Sequence, residues 1–126
     1  MKTSIGMVLL LSIALLAATA AAGDVDILNA AFKQTGKQWS VQVTLRHADT
    51  GWEHYADRWR VVDGEGNVLC ERFLYHPHVH EQPFTRGLNQ VKIPEHIETL
   101  FIEAHDKVHG WASKRFKVDL SGTGKQ

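Results

Sequence analysis

The amino-acid sequence predicts an all-β fold, a seven-stranded antiparallel β-sandwich of the immunoglobulin or fibronectin type III kind. Two observations support this prediction. Apolar residues recur at every second position in short runs rather than with a helical period, and Gly, Pro, Asp or Asn separates one run from the next. Seven such runs within roughly 100 residues, with a turn signal about every 8 to 12, are typical of a single sandwich domain.

The clearest runs are the second and the third. Trp39, Val41 and Val43 alternate with polar residues in the second run, so one face of that strand should enter a core. Trp59 in the third run fits the tryptophan that immunoglobulin-like domains bury at this place, and the DGEGN that follows predicts a tight hairpin. The predicted strands cover residues 25–32, 38–46, 58–62, 67–75, 88–93, 98–106 and 112–120.

Residues 1–22 have the features of a secretory signal peptide. Lys2 supplies a positive start, an apolar stretch follows, and the alanines at 20–22 form a small-residue cleavage site. Cleavage there would leave one β-sandwich domain, residues 23–120, and a flexible tail, residues 121–126. The sequence therefore predicts a periplasmic or secreted protein that has no membrane attachment once the signal is removed.

The composition excludes several classes of partner and ligand. The 14 Lys and Arg residues balance the 14 Asp and Glu residues, so no charge excess indicates nucleic acid or an anionic membrane as a partner. Cys70 is the only cysteine, which excludes an internal disulfide, and its mid-strand position predicts a buried, inert thiol. Met1 and Met7 both lie in the predicted signal peptide, so the mature chain would have no thioether ligand.

The eight histidines are spread unevenly over the predicted sandwich. If successive strands run up and down, the connections after the second, fourth and sixth strands meet at one end, and all the histidines except His96 fall there or at adjoining strand ends. Loops at one end of a rigid sandwich commonly carry binding function, so this segregation predicts a site. The acidic residues at the same end are Asp49, Glu53, Asp57, Glu81 and Asp106.

The stretch YHPHVH has the best spacing for a metal chelate. In an extended chain its histidines point the same way about 6.6 Å apart, so two imidazoles can tilt towards one ion. Further ligands must come from other loops, with the carboxylates as ligands or as orienters of the imidazoles. Such donors favour Zn²⁺, Cu²⁺ or Ni²⁺, and no organic cofactor is predicted. The candidate ligands are His47, His54, His76, His78, His80 and His109, with His105 as a further donor.

The sequence leaves several functions open. A metal site at this end fits metal buffering or delivery. The same histidines could instead form a hydrogen-bonding network in a non-enzymatic module that recognises an envelope protein or a glycan, or a pH-responsive surface. A metal-dependent hydrolase or oxidase with Glu53 or Glu81 as general base is the least favoured alternative, because no serine lies in a nucleophile motif. Arg86 is expected to pair with Glu81 or Asp57.

Three stretches, HADTGWEHYADRWRVVDGEGNVL, LYHPHVHEQPFTR and AHDKVHGW, carry a resemblance to known proteins. Across them the chain resembles a group of small exported bacterial proteins of uncharacterised function, and the resemblance covers most of the predicted domain. It implies a bacterial β-sandwich made with a signal peptide, and no activity or residue role. Copper-binding sandwiches that use an N-terminal histidine brace differ, because Gly23 or Asp24 would begin the mature chain.

Overall fold

The computed structural model of the chain describes residues 24–122, which form two antiparallel β-sheets packed as a sandwich. These residues contain no α-helix, and nothing helical among them is long and apolar enough to cross a membrane. The predicted signal peptide and the last four residues of the predicted tail lie outside the described range. The strands are β1 Asp26–Thr35, β2 Gln38–Arg46, β3 Ala56–Asp63, β4 Val68–Phe73, β5 Phe84–Val91, β6 Thr99–Asp106, β7 Gly110–Trp111 and β8 Phe116–Asp119, followed by a 3₁₀ turn, Leu120–Gly122.

The strands are divided unequally between the two sheets. One sheet has the order β1-β2-β5, and the other has the order β4-β3-β6-β7, with β8 also paired to β6. Tight hairpins join β1 to β2 and β3 to β4, whereas the chain crosses from one sheet to the other after β2, β4 and β5. The all-β, two-sheet sandwich predicted from the sequence is therefore confirmed.

Some strand boundaries differ from the sequence prediction, and the described residues hold eight strands rather than seven. β5 begins and ends a few residues earlier than predicted, because its first residues already pair with β2. The last predicted strand, 112–120, is shorter in the structure: only β8 forms within it, at the beginning of β6, and the polar residues 113–115 lie outside the sheet. The two-residue β7 lies before the predicted strand and pairs with the end of β6. The DGEGN hairpin forms as predicted, and the Asn67 N–H donates to the Asp63 carboxylate at 2.9 Å.

The core lies between the sheets and is filled by alternate residues of the strands. Trp59 in β3 is completely buried, as the sequence predicts. The buried positions of β2 continue past its end to His47 and Asp49, and those of β6 finish at Asp106. A period of two therefore brings one histidine and two carboxylates into the end of the core.

Candidate metal centre

Three connections meet at one end of the sandwich, as the predicted alternation of loops requires. Hydrogen bonds tie them together: the His47 N–H donates to Gln82 Oε1 at 3.0 Å, and the Lys107 N–H donates to the Tyr55 carbonyl at 3.2 Å. His96 lies in the connection between β5 and β6, at the opposite end. The three connections are residues 47–55, 74–83 and 107–109.

A buried group of three side chains forms the centre of this end. One ring nitrogen each of His47 and His54 and one carboxylate oxygen of Asp106 all lie within 4.8 Å of one another. The side chains of His47 and Asp106 are almost completely buried, and that of His54 is 23% exposed. Because zinc–nitrogen and zinc–oxygen bonds are about 2.0–2.2 Å long, small movements of these side chains would allow one ion to bind all three residues.

The three residues reach the centre from different parts of the chain. His47 follows β2 on its buried face, and Asp106 is the last residue of β6. His54 is placed by a tight turn in which its N–H donates to the Gly51 carbonyl at 3.2 Å. Gly51 has a φ of 153°, which residues with a side chain rarely adopt. A glycine is therefore required for the turn that carries His54.

Asp49 fixes the orientation and the tautomer of His47. His47 Nδ1 lies 2.5 Å from Asp49 Oδ1, and both side chains are fully buried. Because a carboxylate only accepts hydrogen bonds, Nδ1 carries a proton, and a metal ion would have to be bound through Nε2. That Nε2 lies 3.9 Å from Asp106 Oδ2. The N–H groups of Ala56 and His78 donate to Asp49 at 3.0 and 2.7 Å, so the pair is firmly held.

Asp106 has one oxygen with hydrogen bonds and one without. Oδ1 accepts the N–H groups of Val108 at 2.8 Å and His109 at 2.7 Å. Oδ2 is buried and forms no hydrogen bond with any described residue. The same is true of His54 Nε2, which lies 3.4 Å from Asp106 Oδ1 without hydrogen-bond geometry. Burial raises the pKa of Asp106, but the backbone hydrogen bonds and the charge of His109 outweigh burial, so the pKa is below its usual 3.8.

His109 lies on the solvent side of the group. Its Nδ1 is 3.2 Å from Asp106 Oδ1, and its ring centroid is 5.0 Å from that of His54. Its side chain is 36% exposed, more than that of any of the three central residues. A fourth coordination position on this side is therefore within reach of His109 and of water.

The donor set determines which metals suit the centre. Two imidazoles with one carboxylate hold zinc in many sites that keep an open position, and such mixed donors suit borderline divalent ions better than Ca²⁺ or Mg²⁺, which prefer oxygen ligands. The sequence has one cysteine, Cys70, and its thiol is not expected to act as a ligand. Cys70 lies within β4, where burial raises the pKa of its thiol to about 11.

The YHPHVH stretch forms a second group beside the buried centre. The chain bends here instead of running extended, and of its three histidines only His78 is buried. The His78 ring stacks flat on Phe84, with centroids 4.0 Å apart, and the exposed His76 ring lies 4.6 Å from it. Burial, followed by the positive charges of Arg86 and His76, lowers the pKa of His78 from 6.5. His80 is exposed and lines the same groove as the other two.

The six predicted ligands therefore fall into two sets. His47, His54 and His109 surround Asp106, whereas His76, His78 and His80 lie along the outer stretch. The two sets are connected by Asp49, which accepts hydrogen bonds from the His47 ring and from the His78 main chain.

Two other predicted residues form ion pairs. Arg86 donates two hydrogen bonds of 3.2 Å to Glu81, which is one of its two predicted partners. His105 Nδ1 lies 2.5 Å from Asp57 Oδ1, and its Nε2 lies 3.4 Å from the Arg58 guanidinium. Because a positive charge occupies the far side of the His105 ring, this histidine is poorly placed to bind a cation.

Asp106 and Asp49 were predicted to lie at this end, but neither was predicted to have a specific role. A signal for both was present in the alternation of apolar and polar residues. Each acidic residue falls on the buried phase of that alternation, where a carboxylate is costly to place without a partner.

Comparisons with known proteins identify a relative rather than a family. No family model matches the chain, and no solved structure matches it. A protein of Halomicrobium mukohataei named "Putative lipoprotein" is 36% identical to it over 84 residues, which cover 67% of this chain and 41% of that protein. The chain thus spans less than half the length of this relative.

Proposed function

We propose that this protein is an exported β-sandwich that binds a divalent transition-metal ion, Zn²⁺, Cu²⁺ or Ni²⁺, and that it buffers or delivers this ion. The proposed ligands are His47, His54 and Asp106. The proposal depends on one observation, the buried group of two imidazoles and one carboxylate whose ligand atoms lie within 4.8 Å of one another.

A metal ion accounts for this group better than a hydrogen-bonding network does. In a network each buried polar atom should find a partner, and an unsatisfied one costs about 1–3 kcal/mol. His54 Nε2 and Asp106 Oδ2 form no hydrogen bond within the described range. Because Asp49 contacts Nδ1 of His47, it is Nε2 of that ring that lies on the side of Asp106. A cation bound between the three side chains would satisfy His54 Nε2 and Asp106 Oδ2 together.

His109 is the proposed fourth ligand. Its ring is beside those of the other ligands, and its exposed side chain can rotate towards the ion at little cost in buried contacts. Three imidazoles and one carboxylate would complete a tetrahedral set, the geometry that Zn²⁺ prefers. A ligand in contact with solvent also allows the ion to exchange, as buffering or delivery requires.

Export and the fold type are part of the proposal. Residues 1–22 are proposed as a cleaved signal peptide, 23–120 as the domain and 121–126 as its tail, with a periplasmic or secreted destination. The features of the first 22 residues support this, as does the name of the relative, which describes that protein as a lipoprotein. The unequal sheets and the buried Trp59 of β3 support an immunoglobulin-like or fibronectin-like sandwich.

A second candidate function is a non-enzymatic module that binds an envelope protein or a glycan. Trp52 favours this alternative, because its side chain is 64% exposed and lines a groove at the same end. Exposed aromatic rings often contribute to the recognition of partners. The histidines would then only hold the loops together, and the purified protein would show no specific metal binding.

Calorimetric titration of Zn²⁺ and Cu²⁺ into metal-free protein distinguishes the two functions. The variants are His54→Ala, which leaves the apolar core untouched, and His96→Ala, a control at the opposite end. We expect His54→Ala to weaken tight binding at least about 100-fold, because it removes a ligand, and His96→Ala to change it less than about twofold. Equal affinity in all three proteins would contradict the buried centre, and absence of binding would favour the interaction module.

Metal should also stabilise the fold. An ion at about 100 times its Kd adds about 2.7 kcal/mol to the free energy of unfolding, which corresponds to a rise in Tm of roughly 10 °C or more for a domain of this size. Differential scanning calorimetry with zinc and with a chelator measures the difference. The rise should be lost in His54→Ala, and an equal rise in that variant would place the ion elsewhere.

A further inference from the structure

A shallow groove lies on the outer side of the loops that carry the buried centre. One wall is formed by Gly51 and Trp52, and the other by residues 76–81. Its volume is about 600 Å³, and it is open to solvent. Three of its lining residues are the histidines of YHPHVH, which the buried centre does not use.

His78 is a fixed imidazole in this groove. Its side chain is 3% exposed, and neither ring nitrogen forms a hydrogen bond with a described residue. The ring cannot move easily, because it stacks on Phe84 at an interplanar angle of 9°. Its main chain is held as well: the N–H donates to Asp49, and the carbonyl accepts a 2.9 Å hydrogen bond from Gln82 Nε2. Nδ1 lies 4.0 Å from Asp49 Oδ2, so the ring nitrogen that is left for a ligand is Nε2.

His76 supplies a second imidazole next to it. The two ring centroids are 4.6 Å apart, and the planes are tilted by 40°. His76 Nδ1 lies 3.1 Å from the Pro77 carbonyl. Because a carbonyl accepts hydrogen bonds, this contact places the His76 proton on Nδ1 and leaves the lone pair on Nε2. Both rings can therefore offer a nitrogen lone pair in the same small region.

We propose that His76 and His78 form a second metal site in this groove, for a borderline divalent ion such as Cu²⁺, Ni²⁺ or Zn²⁺, with water completing the coordination. The inference shares the class of ion with the proposed function but does not require the buried centre to bind. Glu81 lines the groove too, but it is engaged by Arg86 through both oxygens and supplies negative charge rather than a ligand.

The second site differs from the buried centre in affinity and exchange. It has two protein ligands instead of three or four, and His76 is exposed. Because it has fewer protein ligands and is in contact with water, the second site should bind its ion less tightly and exchange it faster. An ion at this position is therefore the one that a partner or a competing chelator can reach first.

His76→Ala is the appropriate variant, because His76 is exposed and its removal leaves the core intact. His78 is less suitable, since its main chain shares Asp49 with His47. The probe is Cu²⁺, titrated into the metal-free full chain with calorimetry for stoichiometry and electron paramagnetic resonance for nitrogen ligation. His96→Ala is the control for unspecific binding by an exposed histidine.

Wild type and His96→Ala are expected to bind two Cu²⁺ ions of different affinity. His76→Ala should bind the weaker ion at least about tenfold less tightly, with the tighter site unchanged within about twofold, and His54→Ala should keep the weaker site. Binding of one ion that depends on His54 and not on His76 would overturn the second site and leave the buried centre standing. An ion that persists in His54→Ala and is lost in His54→Ala/His76→Ala would support the second site while refuting the buried centre.

Discussion

Two Asp–His pairs in this protein have the same short contact and opposite surroundings. His47 Nδ1 lies 2.5 Å from Asp49, and His105 Nδ1 lies 2.5 Å from Asp57. The first pair is fully buried, and its second nitrogen lies beside another carboxylate. The second pair is partly exposed, and its second nitrogen lies 3.4 Å from a guanidinium group, that of Arg58. The group beside the second nitrogen thus distinguishes the proposed metal ligand, His47, from the structural ion pair of His105.

The two surroundings arise from the two phases of strand alternation. Arg58 and His105 are register partners on β3 and β6, on the face that also holds the 2.8 Å pair of Arg60 and Glu103. Trp111 packs against the same face, where the Arg60 guanidinium lies 3.7 Å from its ring centroid. The inward-facing positions of β2 and β6 hold apolar residues until the strands end, and buried polar side chains lie at that end of the core.

Asp106→Asn should have the largest effect on metal affinity. It removes the negative charge beside His47 Nε2, which has no counterpart beside His105. The amide keeps an oxygen for the backbone N–H groups of Val108 and His109, so the turn should fold. We expect zinc affinity to fall at least about 100-fold, measured by competition with a chromophoric chelator. A circular dichroism spectrum like that of wild type is the control, and retained affinity would exclude Asp106 as a ligand.

Asp49→Asn and Asp57→Asn test the two pairs against each other. Removing the carboxylate that orients a ligating histidine typically costs about 10–100-fold in metal affinity, so this loss is expected for Asp49→Asn. Asp57→Asn should change zinc affinity less than about twofold, because His105 is not one of the proposed ligands. Calorimetric titration of both variants gives the comparison directly. A similar loss of zinc affinity in both variants would show that the Arg58 guanidinium beside His105 does not decide which histidine binds the ion.

His78 shows what burial does to a histidine whose ring forms no hydrogen bond with a carboxylate. Because its folded pKa is lowered from 6.5, the unfolded chain binds a proton more readily, and the free energy of unfolding of metal-free protein should fall as the pH decreases below about 6.5. His78→Phe, which can still stack on Phe84, should show a smaller fall between about pH 7 and about pH 5 in urea denaturation. An equal fall in both proteins would show that other groups cause it.

Cys70 should show the smallest effect. With the thiol pKa raised to about 11, little thiolate exists at about pH 8, so iodoacetamide should label the folded protein slowly and the denatured protein fast. Saturating zinc should change the labelling rate of folded protein less than about twofold. Strong protection by zinc would mean that the thiol, rather than Asp106, completes the site.

The sequence predicted the sandwich well, because alternation and turn residues act locally. The long alternation of β2 and the DGEGN turn leave few alternatives to a strand and a hairpin. The gap between β7 and β8, residues 112–115, could not be predicted in this way. β7 and β8 pair with different ends of β6, and such long-range pairing leaves little trace in residues 112–120.

The end of the sandwich that carries the candidate site could be predicted, but the grouping of side chains within it could not. The topology alone brings His47, His54 and His109 to one end. The regular spacing of YHPHVH describes an extended chain, whereas this segment bends, so the spacing did not predict that His78 is buried while His76 and His80 are exposed. His105 differs from His47 in having the Arg58 guanidinium, from another strand, beside its second nitrogen. A contact between strands of this kind cannot be read from a local sequence pattern.

Anomalous diffraction from crystals grown with zinc, measured at the zinc edge, tests the central claim most directly. We expect a peak about 2.0–2.2 Å from a nitrogen of His47, a nitrogen of His54 and an oxygen of Asp106. No peak is expected at His105, whether or not the groove also binds an ion. A zinc ion bound at the His105–Asp57 pair, or a well-ordered end of the sandwich with no peak between His47 and Asp106, would contradict it.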